Sequence, residues 1–343
     1  MSKSKRKQRL AAVRKARAQS YEAASHGRRL QTWRASSAGP NTLLLGNLET
    51  LRARSRDAMR NNGWLSGALD SWVANEIGTG ITPRSQAHNP EFAAAADALW
   101  DDWVKEADAD GVLDFYGMLA LAARSRKEAG EVFIRRRTRR LEDGLSVPLQ
   151  LQLLEAELCP LNYTQGQIRA GIEFDRLGRR RAFHMYRSHP GEHMGEVDAG
   201  QLVAVPADAV IHHYAPLRPG QLRGQPWTVQ ALIRARSFDE YDDAELERKK
   251  TRANYTGVIE RPDDPMTDGS DPFTGEAIET DGEGDAVTNV SPGSFAALLP
   301  GEKLHLFEGD RTADGYADFV RHQLLGMAAG LKVPYEFFSG DFS

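Results

Sequence analysis

Along residues 42–80 the apolar positions recur at three- and four-residue steps, through Leu44, Leu48, Leu51, Ser55 and Met59, then Leu65, Leu69, Val73 and Ile77. That is helical period, and Asn61, Asn62 and Gly63 predict a break between two helices. A further amphipathic helix is expected over 89–107, with Phe92, Ala96, Leu99, Trp100 and Trp103 on one face, and another over 115–129. The period then changes. "GEVFIRRRTRR" and "LSVPLQLQLLEAE" alternate apolar with polar residues, as strands with one wet face do. Ile172 and Phe174 lead into Asp175-Arg-Leu-Gly178, and 182–186 returns as the second strand of a hairpin. "VAVPADAVIHHY" reads as a strand, a turn and another strand.

After the loop "APLRPGQLRGQ", helical period holds from Trp227 to Tyr255, with Pro226 in the first turn and Gly257 as the C-terminal cap. About 28 residues at 1.5 Å each make a rod of about 40 Å. Residues 261–293 turn to Asp, Gly, Pro, Thr and Glu, the composition of a mobile loop. "AALLPGEKLHLFE" predicts a turn between strands, and "GYADFVRHQLLGMAAGLK" a helix with Phe319, Leu324, Met327 and Leu331 inward. Helices, then sheet, then a long helix and a last helix make the fold class α+β.

Bulk properties narrow the function. With 343 residues and 41% hydrophobic side chains, a substantial core is expected. The 44 basic and 48 acidic residues leave a net charge of -4, so no general basic excess drives tight binding to nucleic acid. The lone Cys159 excludes an intramolecular disulfide framework or a multi-thiolate zinc site, and reads as an interior thiol. No apolar run is long enough to cross a bilayer. "MSKSKRKQRLAAVRKARAQ" has the charge of a secretory leader without its apolar stretch, and 1–41 is expected to be a basic, mobile arm.

Candidate chemistry is sparse. His212 and His213 are adjacent, so on a strand they point to opposite faces, and one of them is expected buried or at an edge, bonded to backbone. "GTGITP" follows a helix and precedes none, which makes it a helix cap and turn and not half of a dinucleotide fingerprint. No HExxH, Walker-A or GxSxG motif occurs, so no catalytic, metal or cofactor residue is assigned. Asp239, Glu240, Asp242, Asp243 and Glu245 would have to converge to hold a metal for a DNA-processing enzyme, yet they fall around a helix. The runs Arg135–Arg137 and Arg179–Arg181 would each turn two guanidiniums outward on a strand, Arg135 with Arg137 and Arg179 with Arg181, toward phosphate or a neighbouring chain's carboxylates.

Several stretches, taken in order, resemble one family. They are "RDAMRNNGWLSGALDSWVANEIGTGITP", "GEVFIRRR", "AGIEFDRLGRRRAFHMYRSHPG", "LRPGQLRGQPW" with the helix after it, "LLPGEKLHLFE" and "AAGLKVPYEFFSGDFS". Together they look like the portal proteins of tailed bacteriophages, in the lambda-like branch.

The resemblance implies a structural protein without catalysis or cofactors: a homo-oligomeric ring, typically of twelve copies, at one vertex of the capsid in the virion. Double-stranded DNA would pass through it without sequence specificity during packaging and ejection, with no membrane involved. Terminase, head-tail connector proteins, and the major capsid and scaffold proteins would be its partners, and assembly would take place in the host cytoplasm. On that basis 42–225 would be a wing-like domain of helices and antiparallel strands, and 226–257 a stem-like helix lining the channel. Residues 258–310 would be an acidic loop and strands of a clip or an internal loop. The last helix, 311–343, would end before the crown helices, as in a truncated chain. Lys249, Lys250 and Arg252 would make fleeting phosphate contacts, or answer the helix dipole. Acidic walls with few basic residues would keep the duplex mobile. "RPGQLRG" would form a sharp corner between sheet and long helix, anchored by packing of Trp227. Arg218 and Arg223 would be loop arginines open to DNA or a partner. The alternatives are the metal-dependent enzyme and a nucleic-acid-binding module built on the basic arm.

Overall fold

The computed structural model describes residues 4–9, 28–29, 31–192, 201–254, 257–260, 303–306 and 315–341, with backbone alone for 251–254, 257–260 and 303–306. The expected loop over 261–293 lies outside the described residues, as do most of the basic arm and all but four residues of "AALLPGEKLHLFE".

Within the basic arm that was expected to be mobile, residues 4–9 are helical. Four longer helices follow: α1 (Pro40–Asn61), α2 (Gly63–Ile77), α3 (Pro90–Glu106) and α4 (Phe115–Ala129). Asn62 separates the first two because its backbone is extended while its side-chain oxygen accepts the N–H of Leu65 at 2.8 Å, an N-cap that restarts the helix. Asp114 caps α4 in the same way, through Gly117 N–H at 2.7 Å. "GTGITP" is a helix terminus: the Gly78 N–H bonds the Ala74 carbonyl at 2.8 Å, with φ at +56°.

Two antiparallel sheets follow. The first has the order β2 (Leu149–Leu154), β1 (Glu131–Thr138), β7 (Val210–Tyr214). The second runs β3 (Ile168–Arg169), β4 (Ile172–Phe174), β5 (Arg180–Tyr186), β6 (Leu202–Pro206). The expected hairpin is β4–β5, and Asp175 builds its turn by accepting the N–H groups of Leu177 and Arg179, each at 2.8 Å. β6 and β7 appear as the sequence suggests, yet they belong to different sheets, joined by a short turn at Ala207–Ala209. Phe133, Cys159, Ile172, Phe183, Met185, Val205 and Val210 fill the space between the sheets.

The long helix is shorter than expected. Pro226 precedes one 3-10 turn, Trp227–Gln230, and the α-helix proper, α5, spans Leu232–Asn254. Its 23 residues make a rod of about 35 Å. Gly257 does not cap it; it opens β8 (Gly257–Glu260), which pairs with β9 (Lys303–Leu306). The chain returns in α6 (Tyr316–Leu331) and α7 (Tyr335–Ser339). A second core joins α1, α2, α5, α6 and α7 through Met59, Leu65, Leu69, Phe238, Leu324, Met327, Leu331 and Phe338.

Two amphipathic faces are less buried than their period predicts. Trp103 is buried, but Phe92 is 63% exposed and Leu99 46% exposed, so the stripe along α3 is only partly covered. Phe319 of α6 packs on Tyr241 and remains 38% exposed.

Candidate functional site

The loop from Ala215 to Pro226 joins the first sheet to the long helix, and it is held by a charged cluster between the two cores. Glu131, the first residue of β1, is fully buried. Its Oε1 accepts from the Arg52 guanidinium of α1 and from Arg223 Nε at 2.7 Å. Its Oε2 accepts from Gly224 N–H at 2.7 Å and from His212 Nε2 at 2.8 Å. The rest of the Arg223 fork donates to the carbonyls of Ala156, Cys159 and Ala170, each at 2.9 Å. Every arm of this buried guanidinium is therefore satisfied, as its burial requires.

The network continues outward. His212 Nδ1 lies 3.0 Å from Arg180 Nη1, whose other nitrogen donates to the Tyr214 hydroxyl at 2.7 Å, and Tyr214 donates to the Gln221 carbonyl at 2.9 Å. Because Arg180 can only donate, Nδ1 is the acceptor and the imidazole proton sits on Nε2, facing Glu131. Gln221 folds the loop back on itself: its Oε1 accepts from Leu217 N–H at 2.9 Å and its Nε2 donates to the Arg223 carbonyl at 2.8 Å. From the start of α1, Asn41 donates to the Gly220 carbonyl at 2.9 Å and accepts the Leu222 N–H at 2.9 Å.

Electrostatics follow from this packing. Burial alone would raise the Glu131 carboxyl, but Arg223, Arg52 and the His212 hydrogen bond outweigh it and hold the group well below the usual carboxylate range. Burial lowers His212, against the pull of Glu131, so the ring is neutral. Burial pushes the Cys159 thiol up to about 11, which makes it the inert interior thiol expected from sequence.

Glycine makes the close approach possible. A Cβ on Gly224 would overlap the Gly130 carbonyl, and one on Gly130, whose φ is +90°, would overlap the backbone of Gln225. The two strands of backbone touch at this point, and only glycine fits both sides. Trp227 then packs edge-on against Trp72 with ring centroids 4.6 Å apart, and the ammonium of Lys127 lies 3.4 Å from the Trp72 ring centre. The loop is a corner anchored by Trp227, as its sequence suggests.

The other singled-out residues are placed as follows. Arg223 is a loop arginine turned entirely inward, in place of a contact for DNA or a partner, because Glu131 and three carbonyls take its fork. Arg218 is exposed, with Nη1 3.3 Å from the Ala38 carbonyl. Arg137 holds the Gln152 side chain at 2.6 and 3.0 Å, while Arg136, the middle residue of the run, is the exposed one and reaches the Asp208 carbonyl. Arg135 is half-buried beside Arg137. Arg179 and Arg181 are exposed near the hairpin tip, Arg181 lying 3.3 Å from Glu173. His212 bonds side chains where backbone was expected, and His213 on the other face is half-buried, its pKa lowered first by burial.

On α5, Lys249 lies 4.3 Å from the Tyr316 ring centre and 3.8 Å from Glu245, and Lys250 lies 3.9 Å from Glu247. Arg252 belongs to the helix, and its side chain lies outside the described residues. The acidic run does not converge: Asp239 accepts from Asn62, Glu240 pairs with Arg236, Asp242 accepts from Tyr316 and Glu245 pairs with Arg248. Among the described residues, the carboxylate and histidine atoms close enough to share an ion belong to Glu155, Glu157 and His189 instead, and Glu157 is already taken by Arg56.

Two members of the central cluster escape sequence reasoning. Arg52 follows Leu48 by four residues and precedes Ser55 by three, so it stands on the buried stripe of α1, where a charge needs a partner. Glu131 is the acidic residue between Gly130 and a strand start, but nothing local says which arginine it meets.

The chain matches the family model "Phage portal protein, lambda family" over residues 26–343, and it belongs to that family. It is 25% identical to a probable portal protein of Halomonas phage phiHAP-1 over 322 residues, covering 90% of this chain and 61% of that one. It is 21% identical to portal protein B of Escherichia phage lambda over 358 residues, covering 92% of this chain and 65% of that one. The chain thus spans a little under two thirds of the length of these relatives. Among solved structures, it is similar to a chain in the neck of a native GTA particle computed with C12 symmetry, at a TM-score of 0.48 and 12% identity, covering 83% of this chain and 69% of that one.

Proposed function

We propose that the chain acts as a portal subunit: a structural protein whose copies form a ring at one capsid vertex, around a passage for double-stranded DNA. The observation that carries this reading is the family match across residues 26–343. Twelve copies is the number the family resemblance implies. The same reading makes the ring a dock for terminase and head-tail connector proteins, places it beside the capsid and scaffold proteins, and has it assemble in the host cytoplasm.

The corner geometry supports a mechanical role. A ring that guides a polymer needs its long helix held at a fixed angle to the sheets, and Glu131 ties α1, β1, β7 and the loop before α5 in one satisfied network. The α5 helix suits a passage that does not grip. Lys249 and Lys250 stand beside carboxylates of their own helix, so they offer a polyanion little unbalanced charge. Light scattering coupled to size separation tests the reading: a mass of many copies is expected, and a strict monomer at high concentration would contradict it.

A further inference from the structure

We propose that adjacent copies meet head to tail, the tip of the β4–β5 hairpin of one copy seating on the exposed face of α3 of the next. The inference rests on the ring reading and names the surfaces that would build it.

The face on α3 is apolar and acidic. Helical spacing places Phe92, Ala96, Leu99 and Trp103 on one stripe, of which Phe92 is 63% and Leu99 46% exposed. An uncovered aromatic and aliphatic pair on one helix face marks a contact surface. The helix carries five carboxylates, at Glu91, Asp97, Asp101, Asp102 and Glu106, against one lysine, Lys105. Glu91 and Asp102 are exposed on the flank of the stripe, Asp102 lying 3.2 Å from the Lys105 ammonium of its own helix and Glu91 at the far end from it.

The hairpin tip is the complement. Leu177 stands 77% exposed at the turn, flanked by exposed Arg176 and Arg179, with Arg181 one strand position beyond. Asp175 accepts two backbone N–H groups of the turn, so the tip is preformed and its outward charge is cationic. An exposed leucine between arginines fits an apolar stripe edged with carboxylates, and not a duplex, which offers no such stripe.

Position makes the pairing head to tail. In the first sheet, of order β2-β1-β7, α3 sits on the β2 edge, where Trp103 Nε1 donates to the Leu149 carbonyl at 2.7 Å and Gln150 donates to the Glu106 carbonyl at 2.8 Å. The hairpin is rooted at the opposite edge, where Arg180 bonds His212 and Tyr214 of β7. Unlike patches on opposite edges make a heterologous contact, which repeats from copy to copy and closes into a ring when the rotation allows.

The test uses two variants of the full chain that each add one cysteine, Phe92→Cys and Leu177→Cys, treated with a short bismaleimide; the native Cys159 is buried. The mixed variants are expected to give cross-linked pairs that neither gives alone, and the double variant a ladder of multimers. Arg176→Glu with Arg179→Glu should weaken the ladder by about tenfold or more, since opposed charges become like charges. Light scattering on the same samples separates the claims. Large assemblies without a ladder would overturn this pairing and leave the ring standing. Cross-linked pairs without larger assemblies would keep the pairing and overturn the ring, and monomers without cross-links would overturn both.

Discussion

Arg223 and Glu131 lie 92 residues apart in the chain and meet with Nε 2.7 Å from Oε1, both closed to solvent. Charges taken out of water are expensive, and this pair survives because each remaining polar atom finds a partner. Its value is to specify one geometry: the loop must turn where Arg223 can reach Glu131 and the carbonyls of Ala156, Cys159 and Ala170 at once. Replacing Arg223 by Met leaves Glu131 short of a partner and should cost about 3–5 kcal/mol in urea unfolding. Arg223→Lys, with one compact ammonium, should recover only part of that loss.

Acidification should loosen the same corner in two stages. Burial holds the folded His212 below its ordinary value of 6.5, so the unfolded chain takes up a proton first as the pH falls. Its contribution is complete above about pH 6.5 and drains away below it. Glu131 is held well below 4.5 in the fold, so its contribution persists to more acidic conditions and is lost as the pH falls from 4.5 through the folded value. Melting temperature measured between pH 7 and 4 should decline from pH 6.5 downward, and His212→Gln, which keeps a donor toward Glu131, should flatten the first part of that decline.

The touching backbones at Gly130 and Gly224 predict a sharp contrast among glycines. Gly224→Ala forces a methyl group into the Gly130 carbonyl, and about 3 kcal/mol of stability should be lost. Gly67 lies inside α2 with open space where a Cβ would go, and Gly67→Ala should stabilise by about 0.4–1 kcal/mol. Paired denaturation curves of the two variants check both signs together.

Trp227 gives the corner its second anchor. Truncating it to Ala removes the ring packed on Trp72 and opens a cavity beside Lys127, and should cost about 3–5 kcal/mol. Near-ultraviolet circular dichroism reads the same contact, because the two indoles lie edge to face; the variant should lose more than one tryptophan's share of the signal.

The helices and strands were legible from the sequence where one local cause decides them. Asn62 caps α2, Asp114 caps α4, and Asp175 builds the hairpin turn, each within a few residues of its own effect. The corner was legible as a corner through the family resemblance, which sets "RPGQLRG" between the sheet and the long helix, where proline and glycine suit a sharp turn. What holds it was not. Arg52, Glu131, His212 and Arg223 are assembled from α1, β1, β7 and the loop, and only the fold brings those distances to zero. Arg223 was therefore read as free to meet a partner, although the interior had already claimed it. The end of α5 misled for a related reason. Gly257 suits a helix cap by local rule, but pairing with the strand at Lys303–Leu306 takes it into β8. The amphipathic stripe of α3 misled in the opposite sense, since its period is satisfied while Phe92 and Leu99 still face outward.

The central claim is that many copies of this chain surround a passage. Electron micrographs of the purified protein, averaged along the particle axis, test it most directly. Closed particles of cyclic symmetry with an open centre are predicted; solitary compact particles at every concentration would contradict it.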